Sequence, residues 1–270
     1  MNIIRIHDFS DSRIDIYTRI TENQLANIYQ PEIGLFIAES PNVIKRALED
    51  GYVAESFLTE QKQYDLREVE QLIPDENIPI YIADEGVLEG LVGFQTARGV
   101  WCAMRRKQLP TVEELCKDAR RIVILEEVTN PTNVGAIVRS AAALNADAIL
   151  LTGGCSDPLY RRAARVSMGC IFQVPWTYIK KRPNENYIDS IKALGFTTVA
   201  MALKEDSVSI DDERLHAAEH LAIVLGAEGD GLREETIEAC DYTVMIPMTH
   251  GVDSLNVAAA SAVAFWELCR

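Results

Sequence analysis

The chain has 270 residues, 48% of them apolar, and a formal net charge of −15. The length suits one large or two ordinary domains, and the apolar content is enough for a packed core. The strong negative charge argues against a protein that binds nucleic acid nonspecifically over its whole surface. No apolar run approaches the ~18 residues of a membrane span, and the N-terminus lacks the apolar region of a signal peptide. We therefore expect a soluble, cytoplasmic protein.

The six cysteines are scattered along the chain, and no two of them form a C-x-x-C pair. Such spacing favours neither a zinc ribbon nor a redox pair. We expect reduced thiols that pack as small apolar side chains in the core.

The N-terminal part alternates between strand-like and helix-like segments. Short β-rich runs predict strands over 34–40, 53–59, 79–83 and 99–105. Helical patterns lie over 41–50, around 64–72 and from residue 85 onward. Pro41 suits the first turn of a helix, and Gly51 suits the residue after a helix end. These elements predict a small α/β domain over residues 1–105.

A charged stretch with weak periodicity, residues 106–119, is predicted to be a linker to a second domain over 120–270. In that second part the sequence predicts strands over 121–127, 147–154, 172–178, 197–203, 221–228 and 242–248. Helical patterns separate most of these runs, and a long helical pattern ends the chain. Short β-rich runs between helices imply a parallel sheet covered on both faces. The predicted fold class is therefore α/β.

The first segment with chemical potential is EEVTNPTNVGAIVR, residues 126–139. Asn133 is predicted to cap the helix that follows, and Gly135 would let that helix pack closely. Arg139 lies six positions after Asn133, so both side chains could reach the carboxyl edge of the sheet, where open α/β sheets bind ligands. Taken alone, the segment is better explained by a capping asparagine and a solvated arginine.

The second segment is LGAEGDGL, residues 225–232, in which a buried-type strand runs into glycines. The spacing G-x-x-G-x-G is the reverse of the dinucleotide fingerprint and lies near the chain's end, so it does not favour a nicotinamide site. Glu228 lies within this glycine segment. A plain turn between a strand and a helix remains the alternative.

The third segment is IPMTHGVDSLNVAAASAVAFWE, residues 246–267. Ser254 is predicted to cap the terminal helix, and Asn256 to lie in its first turn, where backbone N–H groups remain unpaired. The alanines of the helix form a small-residue face that suits close helix contact. His250 lies in the preceding loop and is interpreted as a solvent-facing residue.

In this order, the three segments resemble the three motifs of the SpoU (TrmH-like) family of RNA ribose methyltransferases, within the knotted SPOUT class. The resemblance is clear over 120–270 and weaker over 30–105. There FIAESPNVIKRALEDG is similar to the family's small substrate-binding domain, an RNA-binding fold like that of a ribosomal protein. The family usually has glycine after the glutamate of this strand, whereas Ser40 follows Glu39 here.

The resemblance implies a reaction, methyl transfer from S-adenosylmethionine to a ribose 2′-hydroxyl of rRNA or tRNA. The catalytic positions that it implies are Asn133, Arg139, Glu228, Ser254 and Asn256. The cofactor-binding positions that it implies, largely through backbone groups, are Leu225, Gly226, Ile246, Met248 and Leu255. It also implies a C-terminal trefoil knot and a homodimer with the terminal helix in its interface. Arg139 would hold the phosphate and the developing alkoxide, because a guanidinium remains protonated at neutral pH.

An acidic chain needs local basic patches to hold RNA. Two clusters of cations are the candidate RNA-binding residues: Arg105, Arg106 and Lys107, and Arg161, Arg162 and Arg165. Two other functions remain open. One is a methyltransferase of the same knotted class that acts on a base, such as guanine N1. The other is a non-catalytic RNA-binding or assembly protein, which the acidic charge favours.

His216 and His220 lie in an H-x-x-E-H sequence, the pattern of inverted zinc proteases. A zinc site needs a third ligand, and the four histidines of the chain provide no clear candidate. We therefore expect two surface histidines and no bound metal.

Overall fold

The structure is a computed structural model that describes residues 1–27, 34–61, 71–89, 99–180, 185–251 and 254–269. The chain forms two compact units. Unit 1 contains residues 1–108 together with 159–172, and unit 2 contains residues 109–158 and 173–270. Most of the helix predicted around 64–72 lies outside the described residues. The helix predicted from residue 85 is not found in its described part, because residues 85–89 form turns.

Unit 1 is built on a five-stranded mixed sheet. Its strands are β1 (Asn2–Ile6), β2 (Leu35–Glu39), β3 (Ala54–Glu60), β4 (Pro79–Ala83) and β5 (Val100–Arg105), in the order β1-β4-β3-β5-β2. β1 and β3 run parallel to β4, whereas β5 runs antiparallel to β2 and β3. Helices in the first half of this unit are α1 (Asp15–Thr18), α2 (Glu22–Ala26) and α3 (Pro41–Glu49). The four strands and the helix over 41–50 predicted for the N-terminal part are thus observed, with β1 added at one edge.

The buried carboxylate of Glu39 binds two arginines of the segment 159–172 and so holds that segment within unit 1. The segment contains α6 (Arg161–Val166), whose Arg165 Nη1 lies 3.0 Å from Glu39 Oε1. Arg161 lies 3.8 Å from the same carboxylate, and its guanidinium lies 4.5 Å above the Trp101 ring. Burial raises the pKa of Glu39, and the two arginines lower it only in part. The first described helix after β7 (Ala148–Leu151) therefore belongs to the packing of unit 1.

Unit 2 is built on a seven-stranded sheet in which every described pairing is parallel. In addition to β7, its strands are β6 (Arg121–Leu125), β8 (Trp176–Tyr178), β9 (Thr197–Met201), β10 (Val208–Ser209), β11 (Leu221–Leu225) and β12 (Tyr242–Met245). The order is β10-β12-β9-β11-β6-β7-β8. The parallel sheet that the sequence predicts is confirmed.

The helices of unit 2 are α4 (Val112–Cys116), α5 (Pro131–Ala143), α7 (Tyr187–Ala193), α8 (Glu213–Ala217), α9 (Glu234–Ala239) and α10 (Val257–Leu268). α4 lies inside the predicted linker, where Thr111 and Glu114 form a reciprocal capping box. β6 and β11 are central, and nearly all of their residues are buried, as expected for strands covered on both faces. α10 packs against α5, which brings the third sequence segment to the first.

Among the described residues, no helix combines the length and the apolar character needed to cross a membrane.

Candidate active site at the carboxyl edge of the parallel sheet

Three polar side chains from three distant segments meet in unit 2. Asn133, on α5, is 8% exposed, and its Nδ2 donates a hydrogen bond to Glu228 Oε1. Asn256 Nδ2 lies 3.4 Å from Asn133 Oδ1 and donates to it. Partners on both sides therefore fix the orientation of the Asn133 amide. The sequence segments that carry the three predicted motifs thus converge on one buried amide.

The helix caps differ from the prediction by a few residues. Asn130, not Asn133, caps α5, because its side chain accepts from Thr132 N at 2.9 Å. Asn256, not Ser254, caps α10 by accepting from Ala258 N at 3.0 Å. Because Asn130 caps α5, Asn133 lies inside the helix and its side-chain amide is not used as a cap. The amide is instead directed at Glu228. Ser254 is exposed, two residues before the cap.

The glycine loop, residues 226–232, is a closed turn that follows β11. Ala227 and Gly231 exchange backbone hydrogen bonds of 3.2 Å in both directions, so Glu228 lies in the turn between them. A Cβ atom on Gly226 would lie 2.4 Å from the backbone of Gly231 and Leu232. Gly226 is therefore required for the close approach of the loop's own two ends.

Glu126 is a buried carboxylate to which the sequence motifs assign no role. It follows β6 directly and is 1% exposed. Its carboxylate accepts from Tyr187 OH at 2.8 Å and Thr236 Oγ1 at 2.7 Å, and from Arg233 through both the backbone N–H and Nη2. Burial acts to raise the pKa of Glu126, but the donors, Arg233 first among them, outweigh it and the pKa is lowered. The only sequence signal was an acidic residue at the carboxyl end of a buried strand.

Arg139 is not joined to this cluster. It lies six residues beyond Asn133 on α5, which turns it about 120° around the helix axis. Asn133 is buried and Arg139 is exposed. Within the part of the chain that the structure describes, no hydrogen bond or ion pair of Arg139 is found. The guanidinium is thus available to a phosphate, but a single chain does not direct it at Asn133.

The predicted cofactor-binding positions lie around the same sheet edge. Leu225 ends β11 and is buried with Gly226, whereas Ile246 and Met248 follow β12 and are half-buried. Leu255, just before the α10 cap, is 41% exposed. In a parallel sheet the carboxyl ends of all strands share one edge, which is the usual ligand-binding edge of open α/β sheets. The backbone groups of these residues and the Asn133 cluster are thus at the same edge.

The cations predicted to bind RNA lie in unit 1 and mostly have carboxylate partners. Arg105 pairs with Glu55, and Lys107 Nζ lies 3.2 Å from Asp50 and 4.2 Å from the Tyr52 ring centre. Arg161 and Arg165 share Glu39, as described above. Arg162 is exposed. A phosphate would have to compete with these carboxylates, so the RNA-binding role of the two clusters remains a prediction.

The histidines do not form a metal site among the residues described here. His216 lies on α8, 3.4 Å from Glu267, whereas His220 lies beyond the helix end and its Nδ1 is 2.9 Å from the carbonyl of Ala119. The described ranges contain no group of three or more potential metal ligands. His250 is exposed, with φ +60°.

Comparisons with known proteins single out the same segments. The profile of the SpoU rRNA Methylase family matches residues 120–266. A tRNA/rRNA methyltransferase of Mycobacterium bovis, itself described as uncharacterized, is 34% identical over 100% of this chain and 93% of its own length. A 23S rRNA (guanosine-2′-O-)-methyltransferase of Acinetobacter baylyi is 30% identical over 76% of this chain and 84% of its own length.

Solved structures share the whole fold. An AdoMet-bound rRNA methyltransferase from Sinorhizobium meliloti superposes with a TM-score of 0.81 at 22% identity, covering 98% of this chain and 97% of that one. A structure described as an RNA 2′-O ribose methyltransferase gives a TM-score of 0.75 at 25% identity, covering 98% of both chains. Both units of the chain are therefore included in the likeness.

Proposed function

Because the chain belongs to the SpoU rRNA Methylase family, we propose that it transfers a methyl group from S-adenosylmethionine to a ribose 2′-hydroxyl of rRNA or tRNA. The observation that carries this proposal is the convergence of Asn133, Glu228 and Asn256. Each comes from a different motif of the resemblance, and together they form one hydrogen-bonded cluster beside the sheet edge. The names of the relatives, which specify 2′-O-methylation of guanosine in 23S rRNA, support the ribose as the acceptor.

The reaction requires the 2′-hydroxyl to lose a proton as it attacks the methyl group. Arg139 stays protonated at neutral pH, so its role is to bind the neighbouring phosphate and stabilise the developing alkoxide. The proton then passes to a phosphate oxygen or to water. Asn133, Glu228 and Asn256, with Ser254, orient the ribose and the phosphate. The hydrogen bonds of Asn133 to Glu228 and Asn256 hold these donors and acceptors in place before the substrate arrives.

S-adenosylmethionine would bind through backbone groups of Leu225, Gly226, Ile246, Met248 and Leu255. The deep burial of Leu225 and Gly226 supports this, because a buried edge gives an adenosyl group an apolar, water-excluded site. When bound, the cofactor supplies the electrophilic methyl group. We propose that the C-terminal segment reaches this edge by threading a trefoil knot, and the likeness to SpoU structures supports that path.

We propose that the active form is a homodimer built on α5 and α10. Val263 and Trp266 on α10 are 39% and 57% exposed, an unusual exposure for apolar side chains of this size. On α5, Arg139 shares its face with the small residues Ala136 and Ala143, at i−3 and i+4. A second copy that covers this face would also enclose Arg139 in a less hydrated site, which supports a composite site that a single chain lacks.

Sedimentation velocity tests the dimer. Trp266→Glu should shift the protein to monomer and abolish methyl transfer, whereas Leu203→Glu, at an equally exposed apolar position, should leave a dimer. A dimer that survives Trp266→Glu would contradict the assigned interface.

The experiment that tests the function uses 23S rRNA transcribed without modification. Purified protein and S-adenosylmethionine are incubated with the RNA, which is then digested and mapped by mass spectrometry for 2′-O-methyl nucleosides. Isothermal titration with S-adenosylmethionine runs in parallel. A methylated base would identify the base-modifying alternative, and no binding of the cofactor would identify a non-catalytic RNA-binding protein. tRNA serves as the second substrate in the same assay.

We also propose that the reaction needs no metal ion. Methyl transfer should keep its full rate after exhaustive chelation, because the phosphate and alkoxide charges are met by arginine. Stoichiometric zinc lost together with activity would revive the site at His216 and His220. A substrate of this class is found where ribosomes and tRNAs are made and used, so we propose a cytoplasmic location.

A further inference from the structure

We propose that Glu126 is a positioning residue that clamps both ends of the glycine loop and thereby sets Glu228 against Asn133. None of the three motifs assigns it a role. The inference rests on the proposed function for its turnover measurements and is independent of it for the hydrogen exchange of the loop.

Glu126 holds the glycine loop in two ways, through its backbone (the backbone half of the clamp) and through its carboxylate (the side-chain half). The backbone N–H of Glu126 donates to the carbonyl of Leu225 at 2.8 Å, which extends the β6–β11 pairing to the residue before the loop. Arg233 is the residue after the loop, and its backbone N–H donates to Glu126 Oε1 at 2.9 Å. One residue thus holds the position where the loop begins and the position where it ends.

The side-chain half is strengthened by charge. Glu126 Oε2 lies 3.0 Å from Arg233 Nη2 and also accepts from Thr236 and Tyr187. Hydrogen bonds to an ionised carboxylate are stronger than neutral ones and prefer short, fixed geometry. Since Thr236 lies on α9 and Tyr187 on α7, the carboxylate ties the end of the loop to two helices of the same unit.

The two ends of the glycine loop are in close contact, which leaves little room for them to move independently. The backbone of Gly231 and Leu232 passes so close to Gly226 that an added Cβ would lie 2.4 Å away. A shift of the Arg233 end is therefore transmitted to the turn that carries Glu228. Because oriented groups lose much of their effect when displaced by about 1 Å, the loop ends control the chemistry at its tip.

Asp241 provides a matched control in the same unit. Its carboxylate accepts from the backbone N–H and the hydroxyl of Thr198, each at 2.8 Å, and pairs with Lys192 at 2.9 Å. Its pKa is lowered by hydrogen bonds against the effect of burial, as for Glu126. Thr198 lies at the amino-terminal part of β9, so this cluster is at the opposite edge of the sheet from the loop.

The experiment compares Glu126→Gln with Asp241→Asn. Glu126→Gln keeps the side-chain shape but replaces one acceptor with an amide that cannot accept from the arginine. We expect amides of residues 226–233 to exchange with deuterium faster in Glu126→Gln than in Asp241→Asn. We also expect turnover to fall on the order of 10–100-fold in Glu126→Gln with the RNA KM little changed. In a Glu228→Ala background, Glu126→Gln should lower turnover by no more than about a further twofold. Both changes act through the carboxylate of Glu228, which is already absent there.

Three results would overturn the proposal: equal exchange of the loop in both variants, equal losses of turnover in both, or full additivity of Glu126→Gln with Glu228→Ala. If the wild-type protein methylates no RNA, the proposed function fails, and the loop exchange rates alone still decide the role of Glu126. Should Glu126→Gln not fold, Arg233→Ala removes the charged donor but keeps the backbone N–H. It should give the same pattern at smaller amplitude, and a loop that exchanges as in wild type would count against the clamp.

Discussion

The amide of Asn133 donates a hydrogen bond to the carboxylate of Glu228, although 95 residues separate the two in the chain. α5 supplies one partner and the turn after β11 supplies the other, because β6 and β11 are neighbours in the sheet and their carboxyl ends lead into these segments at one edge. A buried amide needs partners for its polar atoms, and here the partners are other members of the candidate site. The cluster is consequently both a packing unit and a set of oriented functional groups.

Arg139→Ala should abolish methyl transfer and leave the affinity for S-adenosylmethionine within a few-fold. The side chain is exposed on α5, so stability should change by less than about 0.5 kcal/mol. Arg139→Lys should also be poor, since a point charge does not replace a planar fork of donors. Turnover and the melting temperature of each variant are measured together, which separates a loss of catalysis from a loss of stability. Near-normal turnover in the alanine variant would mean that Arg139 has no role in the mechanism.

Asn256 has two functions that substitution can separate. Asn256→Ala removes the α10 cap and should destabilise the protein by about 1 kcal/mol. Asn256→Asp keeps a good cap and should therefore avoid the loss of stability that comes from the cap, but it loses the donor to Asn133 and should still reduce turnover. Ser254→Ala serves as the control and should keep the contribution of the cap to the unfolding free energy, because Ser254 does not cap the helix. A stability loss in that control equal to Asn256→Ala would contradict the assignment of the cap.

The stability of the protein should depend on Glu126 in a defined pH range. Its folded pKa is lowered, so the unfolded state takes up the proton first as pH falls. The stabilisation is therefore fully present above the ordinary carboxyl pKa of about 4.3 and is lost as pH falls toward the folded pKa. Urea unfolding from pH 7 down to pH 3.5 should show a shallower acid slope for Glu126→Gln than for wild type. At pH 7 the variant should be less stable by about 1–3 kcal/mol, and parallel slopes would mean that Glu126 does not titrate as inferred.

The basic clusters can be tested by neutralisation rather than reversal. Changing Arg105, Arg106 and Lys107 to Gln should weaken RNA binding and reduce the log–log salt slope by about 0.7–0.9 per lost phosphate contact. Arg162→Gln is the clean variant of the second cluster, since Arg161 and Arg165 hold the buried Glu39 and their neutralisation would leave that carboxylate without a cation. S-adenosylmethionine binding is the control. Unchanged affinity and slope in both variants would assign RNA recognition to other parts of the surface.

Much of the fold could be predicted because the central strands have a distinctive pattern. IVIL (122–125) and LAIVL (221–225) are continuous apolar runs with β-branched residues, which is typical of a strand buried on both faces. β1 was missed because NIIRI is an edge strand with mostly exposed residues, so its pattern lacks a clear buried face. α4 could not be predicted because it has only five residues, which is too short for an apolar pattern with the helical period to be recognised.

The candidate site was predictable only in part. Two asparagines three residues apart, Asn130 and Asn133, are both competent caps, and the sequence does not reveal where the backbone turns into the helix. The pairing of Asn133 with Glu228 depends on which strands are neighbours, which is a property of the sheet. Glu126 was missed because its donors come from positions 61 to 110 residues away.

The chain passes from one unit to the other three times, after residues 108, 158 and 172. A domain joined by a single linker can be gained, lost or exchanged by one genetic fusion. Here such a fusion would carry away unit 1 but leave residues 159–172 behind, with Ile171 and Phe172 stripped of their apolar surroundings. Changes in the sequence of unit 1 must therefore remain compatible with the segment 159–172, which is encoded between two parts of unit 2.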